Sequence, residues 1–127
     1  MRIGELSRVT GVSLRSLRYY EAKGLLVPDR EENGYRVFNA TAIERVNTIQ
    51  FYLRLGFSTD EIEGFLNCVM KKKEAFCEEI LPMYEQKLAE IDRQLHQLSE
   101  IRSNLIERID VIKHEQVTQQ FTSGESG

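Results

Sequence analysis

Three side chains in one short segment have the chemistry to hold a polyanion. In RSLRYYEAKGLL, residues 15–26, Arg15, Arg18 and Tyr19 fall on one side of a helix at about 100° per residue. Leu14, Leu17, Tyr20 and Glu21 fall on the other. Guanidinium groups bond phosphate oxygens and the edge of guanine, and a phenol hydroxyl bonds phosphate, so this face suits a nucleic-acid reader. Ser16 lies beside it as a further hydrogen-bonding group. Tyr35 and Arg36, directly after Asn33-Gly34, and Arg54, just before Gly56, are placed to meet a phosphate backbone.

Sulfur is the other chemistry. Cys68 and Cys77 are the chain's only cysteines, too few for a disulfide framework, and their spacing has no strong metal signature. One thiolate cannot hold a metal alone, because even a linear site needs two soft ligands. His96 and His114 fall at outward positions of the helix that carries them. The pair therefore reads first as small core residues. A thiol sensor of redox or electrophile signals is the second reading, and no metal or cofactor site is expected. Enzymatic chemistry is absent from the pattern, with no phosphate-binding glycine loop, no H-E-x-x-H and no Ser/His/Asp set.

Composition agrees with a folded, non-membrane protein. Of 127 residues, 41% are hydrophobic and 29% charged, and no apolar run approaches the roughly 18 residues of a membrane span. Without a signal-peptide pattern, a cytoplasmic location is expected. The net charge of −3 hides an asymmetry. Residues 1–58 carry nine Lys/Arg against six Asp/Glu, whereas residues 59–127 carry eight against fourteen. The basic excess coincides with the reader segment, and local charge governs phosphate binding.

Several elements must position these groups. Ile3, Leu6 and Val9 recur at helical spacing up to Thr10-Gly11-Val12, and Ser13 is a good N-cap for a second helix that Gly24 closes. Two short helices joined by a tight glycine turn read as a helix-turn-helix. In LVPDREENGYRVF, apolar runs flank an Asn-Gly hairpin signal, which makes a wing. Asn39 caps a third helix with Ile43, Val46, Ile49 and Leu53 as its stripe. Ser58 and Glu61 form a capping box for a fourth, carrying Ile62, Phe65, Leu66 and Val69. Then Tyr84, Leu88, Ile91, Leu95, Leu98, Leu105, Ile109 and Ile112 follow a heptad seam broken at Arg102. The seam, counted from Leu81, spans about 46 Å and demands a partner helix, most simply from a second chain.

The fold class is thus mainly α: a winged helix-turn-helix domain at 1–70, a linker or start of a long helix at 71–83, a dimerisation coiled coil at 84–115, and a disordered tail at 116–127. Pro82 leaves the start of the long helix open.

MRIGELSRVTGVSLRSLRYYEAKGLL resembles the helix-turn-helix signature of the MerR family of bacterial transcription regulators. ENGYRVF resembles that family's wing, and LRLGFSTDEI its second helix pair, so the likeness covers about residues 1–70. The resemblance implies a homodimer joined by an antiparallel coiled coil, bound to a palindromic promoter with a long spacer. An effector makes such a dimer distort the DNA, which acts on RNA polymerase indirectly. CEEILPMYEQKL resembles the stretch that opens the long helix in metal-sensing relatives, yet no cysteine follows it here. The large ligand domain of drug-responsive relatives is not expected, which leaves a small-molecule or redox effector unidentified. A protein-binding coiled-coil adaptor is the competing reading, and the outward Arg15, Arg18 and Tyr19 argue against it.

Overall fold

The computed structural model describes residues 1–125, and it divides into two units, Met1–Tyr84 and the chain from Glu85 onward. The first unit opens with α1 (Ile3–Thr10) and α2 (Leu14–Ala22). Gly11 ends α1 at φ 75°, a left-handed conformation that glycine adopts without steric cost, and its N–H returns to the Ser7 carbonyl. Ser13 caps α2 by accepting a bond from the Ser16 N–H. The tight turn thus has a glycine stop and a serine start within three residues.

The wing is a two-stranded antiparallel ribbon of β1 (Asp29–Arg30) and β2 (Arg36–Val37), with Asp29 opposite Val37 and Arg30 opposite Arg36. Its tip is wider than a two-residue Asn-Gly hairpin. The Gly34 N–H bonds the Glu31 carbonyl and the Glu31 N–H bonds the Tyr35 carbonyl, with Gly34 at φ 86°. The base of the wing is tied to the chain start, where Met1 and Phe38 exchange backbone bonds in both directions.

Helices α3 (Ala40–Arg54) and α4 (Thr59–Lys71) complete the domain. Asn39 accepts from the Ala42 N–H, and the capping box closes from both sides: Ser58 accepts from the Glu61 N–H while the Glu61 carboxylate accepts from the Ser58 N–H. Such a cap is worth about 1 kcal/mol. Gly64, in the middle of α4, has open space where a side chain would project.

Leu6, Leu17, Tyr20, Leu25, Leu26, Val46, Ile49, Tyr52, Ile62, Phe65 and Leu66 form the buried core, to which every helix of the unit contributes. Of the stripe expected on α3, Val46 and Ile49 are buried, while Ile43 and Leu53 pack at its edge. Tyr52 joins them from a position the stripe did not include, in edge contact with Phe65 at a centroid distance of 4.7 Å.

After α4, a 3-10 turn at Glu74–Phe76 leads to α5 (Ile80–Glu125). Pro82 is the third residue of α5, where a backbone N–H would have no helical partner, so its missing donor costs nothing. The start of the long helix, left open by Pro82 in the sequence, is thus Ile80, within the 71–83 segment. Its end differs from expectation. Residues 116–125 continue the helix instead of forming a disordered tail, because no glycine or proline interrupts the sequence before Gly124; residues 126–127 lie outside the described residues. At 1.5 Å per residue, 46 residues make about 69 Å.

Tyr84 departs from its expected place in the intermolecular seam. Beginning the helix at Ile80 puts Ile80 and Tyr84 one turn apart, and both pack into the first unit. The Tyr84 ring lies 5.7 Å from Phe57 and 6.2 Å from Tyr52 between centroids. Further along, Leu88, Leu95, Leu98, Leu105, Ile109 and Ile112 are exposed, while Ile91 is half-buried. Ile101, next to the break at Arg102, is also exposed.

Candidate nucleic-acid interface

Burial sorts α2 as its periodicity requires. Leu17 and Tyr20 are buried, and Arg15, Arg18 and Tyr19 are exposed. Leu14 is the exception at 40% exposure, since it begins the helix at the edge of the core. Tyr20 is anchored from below, where Gln50 donates to its hydroxyl at 2.6 Å. Burial raises the Tyr20 phenol above the ordinary value, an effect that bond partly offsets. The adjacent tyrosines therefore divide their labour, one fixing the helix and the other facing out.

The outward face is braced by neighbouring elements. The Tyr19 hydroxyl lies 3.3 Å from Thr59 Oγ1, which ties α2 to the first residue of α4. Lys23, which pairs with Asp60, stands 5.9 Å from the Tyr19 ring centroid. Ser16 is engaged in capping: its N–H donates to Ser13 Oγ at 3.1 Å, and its hydroxyl accepts from the Ser13 hydroxyl at 3.0 Å. The wing is held from the other side by Arg36, whose Nη1 reaches both carboxylate oxygens of Glu21 at 2.7 Å. Glu21 is mostly covered while Arg36 remains half-exposed, so part of the guanidinium still faces solvent. Arg54 is exposed at the last residue of α3, before the Gly56 turn.

One residue of this surface is not evident from the sequence pattern. Arg2 precedes α1, and its guanidinium lies 4.2 Å over the centroid of the Tyr35 ring. A cation on the ring's negative face steadies the wing tyrosine and adds a positive charge beside it. Sequence spacing gives no hint of it, because Arg2 and Tyr35 are brought together only by the pairing of Met1 with Phe38. Arg45, by contrast, is a basic residue turned to structural use: it donates to the Leu25 carbonyl and to Asn67 Oδ1, the latter at 2.8 Å.

The cysteines depart furthest from expectation. Cys68, in the last turn of α4, and Cys77, just after the 3-10 turn, are joined as a disulfide with Cα atoms 5.9 Å apart. A count of two argued against a framework, but a single local clip needs no framework. Among the described residues of one chain, no three His, Cys, Asp or Glu side chains gather as metal ligands. No described helix is long and apolar enough to cross a membrane.

Comparison with known proteins bears on this surface. Residues 1–67 match the family described as MerR HTH family regulatory protein, and residues 43–108 match the MerR, DNA binding family. The HTH-type transcriptional regulator HmrR of Rhizobium leguminosarum bv. viciae is 36% identical over 105 residues, covering 83% of this chain and 81% of HmrR. Among solved structures, lead(II)-bound PbrR691 from Ralstonia metallidurans CH34 superposes with a TM-score of 0.75 at 27% identity, covering 84% of this chain and 83% of its own. HiNmlR, a regulator lacking the sensor domain and bound to promoter DNA, superposes with a TM-score of 0.56 at 25% identity, over 79% and 76% of the two chains. With the helix-turn-helix and wing in place, these matches decide the matter: the chain belongs to the MerR family and is a DNA-binding transcription regulator, not an enzyme.

Proposed function

We propose that the protein acts in the cytoplasm as a homodimer on a two-fold symmetric promoter, and that an effector alters how the dimer deforms the DNA and so changes transcription by RNA polymerase. Arg15, Arg18 and Tyr19 meet base edges and adjacent phosphates in this reading, and Tyr35, Arg36 and Arg54 meet the backbone. Residues 1–70 form the DNA-binding part, the segment from residue 71 to Tyr84 packs with it and opens α5, and the dimer seam runs along α5 from Leu88 to Ile112.

The observation that carries the reading is the exposed Arg15, Arg18 and Tyr19 face, fixed between a wing and the start of α4. Support for the dimer comes from the far end, where Leu88, Leu95, Leu98 and Leu105 are each about 60% exposed along one heptad line. A row of leucines open to water calls for an apolar partner, and a second copy offers the same row.

In vitro selection of bound DNA, followed by footprinting of the selected site, tests this proposal. A palindrome with two half-sites on one face of the duplex is expected. Selection that returns no enriched motif, or a single unpaired half-site bound by one chain, would refute it.

A further inference from the structure

The cysteine pair occupies a mechanically sensitive place. Cys68 lies in the final turn of α4, and its carbonyl accepts the Lys72 N–H at 2.8 Å. The Cys77 N–H closes the 3-10 turn on Glu74, and the Cys77 carbonyl accepts from Ile80, the first residue of α5. The sulfur bridge therefore joins the end of one helix to the start of the next across the eight residues 69–76. Those residues include Lys71, Lys72 and Lys73, and also Val69 and Glu74, which line an open groove with Phe51 and Tyr52.

We infer that Cys68 and Cys77 are a reversible dithiol–disulfide site, oxidised by reagents of the hydroperoxide class, whose state sets how firmly α4 is fastened to the start of α5. Cα atoms 5.9 Å apart are within the range that a bridge spans without moving the backbone. In a reducing cytoplasm such a pair persists only transiently, which is what a signal requires.

The two sulfurs differ in access. Cys68 is partly buried and Cys77 is 3% exposed, so Cys68 meets the oxidant first. Its thiolate attacks the peroxide oxygen, forming a sulfenic acid and releasing water or an alcohol. The Cys77 sulfur then attacks the Cys68 sulfur, expelling hydroxide, which takes up the proton from the Cys77 thiol to leave as water. Two electrons pass to the peroxide and one S–S bond forms. A dithiol reductant reverses the step by exchange.

The link to transcription rests on the regulator reading above, with the unidentified effector now an oxidant. The full chain, purified under reductant and freed of it, is treated with stoichiometric hydrogen peroxide and alkylated under denaturing conditions. Mass spectrometry should count two alkylated thiols per reduced chain, none after peroxide, and two again after dithiothreitol. Two thiols still alkylated after peroxide, or sulfinic acid with no intrachain bridge, would overturn the site.

Apparent affinity for the selected promoter DNA should differ between the two states by about fivefold or more. Cys68→Ser, which changes the more accessible residue, should abolish that difference and remain folded by circular dichroism; Cys77→Ala provides the same test if it does not. Equal affinity of the wild type in both states would overturn the coupling. The thiol count needs no DNA, so absence of binding in both states would count against the nucleic-acid interface alone.

Discussion

Arg36 of the wing and Glu21 of α2 are joined by two contacts of 2.7 Å, from one guanidinium nitrogen to both carboxylate oxygens. The pair crosses from the ribbon to α2, so the wing's position is coupled to the helix that it flanks. It also means that Arg36, proposed to meet a phosphate, already has an anion beside it.

Arg36→Ala should lower affinity about equally for cognate and scrambled DNA and reduce the salt slope by roughly one ion, because a backbone contact carries no sequence information. Glu21→Ala should cost no more than about 1 kcal/mol of stability, as expected for a half-exposed pair. Fluorescence anisotropy across a salt series checks the first claim; a loss confined to cognate DNA would show that Arg36 reads bases.

Arg18→Ala should cost about 1–3 kcal/mol on the selected site if the side chain bonds a base edge. Tyr19→Phe should cost less, since a neutral phenol bonds phosphate more weakly than a guanidinium does. The same phenol also touches Thr59, so Thr59→Val separates bracing from contact. Unchanged binding in both Arg18→Ala and Tyr19→Phe at moderate salt would mean that another face reads the DNA.

Replacing Leu95 and Leu98 together with Asp should give monomers in sedimentation velocity, or unfolded chain. Each leucine buried at a dimer seam is worth roughly 1.5–3 kcal/mol before entropy losses, and a carboxylate there adds a desolvation cost. A double variant that still sediments as a dimer would place the interface elsewhere.

Tyr84→Phe should leave stability unchanged or raise it by about 1 kcal/mol, because the Tyr84 hydroxyl is buried near Glu74 and Tyr52 yet closes no hydrogen bond of ordinary geometry. Burial, and then the Glu74 carboxylate, push this phenol well above its ordinary 10.0. A raised folded-state value favours the protonated form, so its stabilising contribution is complete below pH 10 and is lost as pH climbs beyond. Thermal melts from pH 8 to 11 should show a shallower fall for Tyr84→Phe than for the wild type.

Much of this architecture is legible in the residues because local signals agree with one another. Ser13, Asn39 and the Ser58–Glu61 box each start the helix that their chemistry favours, and Gly11, Gly24 and Gly56 each stand in the left-handed conformation at an end. What stayed hidden depends on distance along the chain. Arg2 over Tyr35 follows from a pairing across 37 residues. Tyr84 satisfies a heptad and a core equally well, and only the helix start at Ile80 decides between them. Cys68 and Cys77 meet because a short turn reverses the chain, and neither their number nor their spacing announces it.

Helix α4 is fastened at its two ends by bonds of different kinds, with a flexible residue midway between. The capping box holds the N-terminal turn under all redox conditions, the sulfur bridge holds the C-terminal turn only when formed, and Gly64 weakens the span between them by about 0.5–1 kcal/mol relative to alanine. Amide protons along this one helix should therefore exchange in an order set by the sulfur chemistry. With the bridge intact, both turns open only with the whole unit. Once it is reduced, the amides near Cys68 exchange by fraying while those near Ile62 stay protected. Helix α4 thus becomes a built-in gauge of oxidation state, readable residue by residue without DNA or any added probe.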